Sequence, residues 1–271
     1  MLYLLHDKLR DWEDSVGVYG VFGLLDQIEF RALGAAILAF LLVMVFGRPV
    51  IRHLLRMKIG DSGLADTELL RSHSASKANT PTMGGIMIAG AILVATLLLG
   101  DLRVGYIHQA LVVLVVFATI GGIDDWLKLT ASRRGAGSRQ GLYAWEKLVA
   151  QLGLALVVAL FAYRQGDTGD GQSMAFVLTL PLQRTYVPGT GEAAPGLIYL
   201  SRAAFIFLTV MMIAGMSNAV NITDGMDGLA GGIGAAVAFG LAILALIAGS
   251  RVAASYLLVP HVTGAGELAV V

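Results

Sequence analysis

Asn218, Asn221, Asp224 and Asp227 stand at three-residue steps within Ser217–Gly232, between two long apolar runs. Ionisable residues inside or at the edge of a membrane segment are costly, so their first reading is functional. Successive three-residue steps on an α-helix drift by about 60° each, which would send Asn218 and Asp227 to opposite faces. Gly225 and Gly228 mark a point where the segment can break and wrap its polar groups around one ligand. Interhelical hydrogen bonding would account for the asparagines. It accounts poorly for two carboxylates.

Two further constellations carry chemistry. Gly121-Gly122-Ile123-Asp124-Asp125-Trp126-Leu127-Lys128 places adjacent carboxylates beside an apolar run. Their repulsion asks for a cation, and Mg²⁺ typically takes one or two carboxylates while phosphate oxygens and waters complete its shell. Lys128, one turn from Asp124, can hold a phosphate or simply form an intrahelical ion pair. In Lys77-Ala78-Asn79-Thr80-Pro81-Thr82-Met83-Gly84-Gly85, Pro81 suits a first helical turn and Thr80 or Thr82 can cap it. A helix N-terminus favours an anion such as phosphate, and Lys77 adds a full charge. The plainer alternative is a capped membrane helix with a snorkelling lysine.

The elements that position these groups are membrane helices. Of 271 residues, 56% are hydrophobic and 14% charged, and the mean hydropathy is +0.75. Such a composition is a membrane protein's, and long uncharged windows make the expected fold an all-α polytopic helix bundle. Nineteen Lys and Arg balance nineteen Asp and Glu, so the chain lacks the basic excess of a nucleic-acid binder. Without cysteine there is no disulfide, no Cys-ligated zinc and no thiol nucleophile.

Residues 1–31 mix apolar and charged positions and read as an interfacial lead-in to one integral membrane domain spanning 1–271. Uncharged windows follow at 32–47, 78–100, 104–123, 148–163, 203–223 and 228–250, predicting six spans, the two shortest extended by flanking Arg and Lys that snorkel. Val252 to Gly266 reads as the start of a seventh. Because a span cannot stop inside the hydrocarbon with its backbone unpaired, further chain is expected beyond Val271. Arg and Lys concentrate in the first and third loops, which puts loops one, three and five in the cytoplasm and the N-terminus outside. All three constellations then fall at one membrane face. The fourth loop, 164–197, with its 175–180 run and Pro188-Gly189 turn, is expected to form an external β-hairpin. His108, in the outer half of the third window, reads as a hydrogen-bonding residue within the bundle.

Taken in order, these three motifs resemble the polyprenyl-phosphate N-acetylhexosamine-1-phosphate transferase family, in its phospho-N-acetylmuramoyl-pentapeptide transferase (MraY-type) branch, from Phe30-Arg31-Ala32 to Gly266-Glu267-Leu268. The resemblance implies about ten spans in the bacterial inner membrane. It also implies Mg²⁺-dependent transfer of phospho-MurNAc-pentapeptide from its UDP carrier to undecaprenyl phosphate at the cytoplasmic face, giving lipid I and UMP. Asp124, Asp125, Lys128 and Asp224 would be catalytic. Lys77, Thr82, Asn218, Asn221, Gly225 and Asp227 would bind substrate, and Asp124 and Asn221 would lie at the metal. A homodimer is left open. The family's Met-Gly-Asp motif and histidine-rich loop would lie after Val271, Asn79 stands where glycine is common, and Arg139-Gln140 stands where a lysine is often found. A UDP-GlcNAc-dependent GlcNAc-1-phosphate transferase is the alternative within the class. An ion-coupled transporter, with its site near the bilayer midplane, is the alternative outside it.

Overall fold

The computed structural model describes residues 1–16, 22–56, 84–134, 141–167, 173–180, 183–187, 190–224 and 228–271. Lys77, Thr80, Thr82, Gly225, Asp227 and the Pro188-Gly189 turn lie outside the described residues.

Helix α1 (Leu2–Val16) precedes a 3-10 turn at Gly23–Asp26. The six apolar windows are six helices: α2 (Ile28–Arg56), α3 (Gly85–Leu99), α4 (Gly105–Arg134), α5 (Ala144–Gly166), α6 (Arg202–Thr223) and α7 (Leu229–Gly249). Five are long and apolar enough to cross a membrane, and α3 has 15 described residues. The protein is an all-α, multi-pass membrane bundle. Most of its large apolar side chains point outward, as lipid-facing helices require.

The basic residues flanking the two shortest windows divide: Arg48 and Arg164 are exposed, as expected, while two others turn inward. Arg31, just before the first window, is 3% exposed and sits in a buried ion pair. Lys147, just before the fourth, turns onto Asp124. Neither snorkels, because each has a carboxylate within reach.

The stretch expected to begin a seventh span folds as α8 (Arg251–Leu257) and, after an extended passage, a 3-10 turn at Ala265–Val270. This turn packs on α2, α3, α4 and α7. A side chain on Gly249 would collide with the Gly266 backbone, so the two glycines permit the approach.

The expected hairpin is present in outline. Val177–Leu178 (β1) pairs antiparallel with Ile198–Tyr199 (β2), just past the expected loop boundary, and Tyr186 bridges Ala193. Phe176 stacks on Tyr163 of α5 at 4.4 Å and meets Phe205 of α6 edge-on at 5.2 Å. The Tyr186 hydroxyl accepts the His261 N–H at 2.7 Å, tying the hairpin to the segment after α8.

Candidate active site

Asp124 lies 19 residues along α4 from Gly105, about 29 Å at 1.5 Å per residue, so the outer start of the helix and the carboxylate are separated by roughly one hydrocarbon thickness. Its side chain is buried, at 6% exposure. Lys128 Nζ approaches Asp124 Oδ2 at 2.7 Å, and Lys147 Nζ of α5 approaches the same oxygen at 2.8 Å. Oδ1 accepts the Leu142 N–H at 2.8 Å. Three of roughly four acceptor positions on the carboxylate are therefore taken.

The loop reaches Asp124 through Gly141, whose φ of +115° lies in the region that favours glycine. A Cβ there would stand 2.9 Å from Asp124 Oδ1. The α5 N-terminus is fixed by the Tyr143 N–H, which donates to Glu146 Oε2 at 2.9 Å.

Asp125 is placed differently. Its Oδ1 is 3.7 Å from Lys128 Nζ and its side chain is 35% exposed. It closes the inner end of a 480 Å³ groove between α3 and α4, whose apolar wall includes Ile88, Ile92, Val113 and Phe117. Gly121 and Gly122 line this groove with nothing within 4 Å of where a Cβ would sit.

The third constellation reaches α5 through one of its members. Asn218 Nδ2 donates to Gln151 Oε1 at 2.8 Å, and Gln151 Nε2 donates to Ser217 Oγ at 3.0 Å. Asn218 therefore does the interhelical bonding that asparagine suits. Lys147 and Gln151 stand four residues apart, on one face of α5. That face holds Asp124 of α4 with one residue and α6 with the other. Asn221 and Asp224 follow on α6, both exposed, and the Asp224 N–H closes the helix onto Val220 O at 3.1 Å. The expected break is real: Gly228, at φ +81°, starts α7.

Lys147, Gln151 and Gly141 were not singled out by the sequence pattern. The available signal was the Lys147/Gln151 spacing at the inner end of an apolar window, where both residues must share a face.

No group of three His, Asp or Glu side chains forms a metal cluster among the described residues. The paired carboxylates are nevertheless hard oxygen donors of the kind Mg²⁺ accepts in ones and twos. Asp125 has the open oxygens; a cation on Asp124 would have to displace a lysine. The site sits at one end of the helices, away from the midplane position expected of a transporter.

Residues 107–266 match the family model for glycosyl transferase family 4, and residues 77–88 match phospho-N-acetylmuramoyl-pentapeptide-transferase signature 1. The chain is similar to the phospho-N-acetylmuramoyl-pentapeptide-transferase of Desulfosudis oleivorans, at 38% identity over all of this chain and 66% of the relative. It is also 36% identical to the enzyme of that name from Desulfotalea psychrophila, over 92% of this chain and 62% of the relative. The chain thus spans a little under two thirds of the length of these curated relatives.

Proposed function

The chain belongs to glycosyl transferase family 4, and from that premise we propose that it takes part in the transfer of phospho-MurNAc-pentapeptide from UDP-MurNAc-pentapeptide to undecaprenyl phosphate, yielding lipid I and UMP. The observation that carries this reading is the sharing of Asp124 by Lys128 and Lys147 at the inner ends of α4 and α5. Joining two anions requires charge neutralisation and positioning more than covalent chemistry by the protein. Two ammonium groups held by one buried carboxylate are preorganised for that task.

In this reading an oxygen of the lipid phosphate forms a bond to the sugar-bearing phosphorus of the pyrophosphate while its bond to the UMP oxygen breaks. Lys128 and Lys147 clamp the phosphates, and Asp124 keeps both cations in place. Asp125 would hold Mg²⁺, whose charge would offset that of the pyrophosphate and the departing UMP. Asn221 and Asp224, with Asp227, Gly225, Lys77 and Thr82, contribute to the nucleotide-sugar side by their places in the motifs. The apolar groove ending at Asp125 suits the acceptor's isoprenoid chain. Attack by Asp124 itself on phosphorus is disfavoured, because its oxygens would first have to shed three partners; this supports direct transfer.

The test is UMP release by membranes carrying the protein, with undecaprenyl phosphate and Mg²⁺, from UDP-MurNAc-pentapeptide and UDP-GlcNAc in parallel. Release from the muramoyl donor alone is expected. Release from UDP-GlcNAc alone would overturn the donor assignment.

A further inference from the structure

At the opposite end of α4 from Asp124 lies a second groove, of 500 Å³, between the outer ends of α4 and α5. Its rim carries His108, Gln109, Arg164 and Gln165, and its wall includes Val112 and Phe161. Val112 lies seven residues inward from the start of α4, about 10 Å. The rim is thus at headgroup level and the wall in the outer acyl layer.

The rim is rich in donors. Gln109 Nε2 donates to Gln165 Oε1 at 2.8 Å, which uses the carbonyl and not the NH₂ of the exposed Gln165 side chain. Gly105 makes room for this: a Cβ there would stand 2.7 Å from Gln165 Oε1. Arg164 and His108 are exposed, with no hydrogen-bond or ion-pair partner among the described residues. The hydrogen-bonding role expected of His108 within the bundle is therefore not what its surroundings show. Among the described residues, no carboxylate lines the groove. The first turn of α4, with N–H groups lacking intrahelical acceptors, adds partial positive charge to the same rim.

We propose that this groove is a binding site for an anionic phospholipid of the outer leaflet. Its phosphate is held by Arg164 and the Gln165 amide, and an acyl chain lies along Val112 and Phe161. Ordinary lipid contact needs only an apolar wall. The fixed amide pair and the unpaired guanidinium select for an anion, and the apolar wall selects for a lipid over free phosphate. The site is separate from the acceptor groove, which ends at Asp125.

The experiment is native mass spectrometry of the purified full chain in mixed micelles with equimolar phosphatidylglycerol and phosphatidylcholine. Retention of phosphatidylglycerol is expected to exceed that of phosphatidylcholine about fivefold, the increment of one arginine near a lipid surface. Arg164→Gln should abolish the preference. Arg251→Gln, which removes an exposed arginine outside the groove, should leave it intact. Val112→Trp should lower retention by filling the wall, and it keeps the proposal testable should the arginine variant fail to fold. A phosphatidylglycerol with a photoreactive acyl chain should label 105–112 and 157–165. Equal retention of the two lipids, an unchanged Arg164→Gln, labelling confined to other helices, or displacement by millimolar glycerol phosphate would each overturn the proposal.

Discussion

Carboxylates meet cations at both ends of this bundle, and the two meetings are built differently. At the outer end Arg31 grips Glu267 with both guanidinium arms, Nη1 to Oε2 at 2.8 Å and Nη2 to Oε1 at 2.5 Å. Glu267 Oε2 also accepts the Asp101 N–H at 3.1 Å, and Arg31 Nη1 also donates to Leu99 O. Both side chains are nearly inaccessible. Beside them Arg103 joins Asp101 to Asp7 of α1. At the inner end, two lysines share one carboxylate and both retain solvent access, Lys128 at 52% and Lys147 at 29%. Arginine's rigid fork makes a closed lock; lysine is a point charge on a rotatable stem that can turn to another anion. The difference separates a cluster that holds helices together from one that can exchange its partner for a substrate.

The largest effect should fall on the inner cluster's function. Asp124→Asn releases both lysines from their shared charge and should lower UMP release by roughly 10²–10³-fold, while thermal unfolding in detergent changes far less. Equal losses of activity and stability would erase the contrast between the ends.

The outer lock should show the reverse. Arg31→Met alone strands a buried carboxylate and should cost about 3–5 kcal/mol, whereas Arg31→Met with Glu267→Met should recover much of it. Unfolding curves for the single and double variants decide this.

Gly141→Ala forces a side chain into a left-handed backbone beside Asp124 Oδ1. It should cost about 1–3 kcal/mol of local strain and lower the turnover rate through Asp124. An unaltered turnover rate would remove Gly141 from the site.

The Asn218–Gln151 contact is predicted to be the weaker glue. A double-mutant cycle with alanine at both positions should give a coupling of about 0.6 kcal/mol. A much larger value would make this pair a lock like Arg31–Glu267.

The smallest effect is a pH dependence at the outer end. Burial pushes the Asp101 carboxyl up, but hydrogen bonds from Arg103 outweigh it and hold the carboxyl below its ordinary range. A depressed folded-state value stabilises above the unfolded value, near pH 4, and that contribution is lost as pH falls through the folded one. Stability of the wild type should therefore drop more below pH 4 than that of Asp101→Asn, as urea midpoints would register.

The six helices were legible because each is an apolar window of nearly membrane length. Their ends were less so, since Arg31 and Lys147 turn inward onto Glu267 and Asp124, carboxylates 236 and 23 positions away in the chain. The Asp124–Lys128 pair follows from local spacing alone. Lys147 joins it only through the packing of α5 on α4, which no local pattern encodes. Likewise Asn218 drew notice for its polarity, but its partner Gln151 is a single amide in an apolar run.

Lys147 gives the most direct measurement. UMP release from UDP-MurNAc-pentapeptide by Lys147→Met is predicted to fall roughly 10²–10³-fold, with Lys147→Arg, which keeps the charge, recovering part of it and both variants unfolding like the wild type. Wild-type rates in a folded Lys147→Met would contradict the assignment of the shared Asp124 cluster as the transfer site.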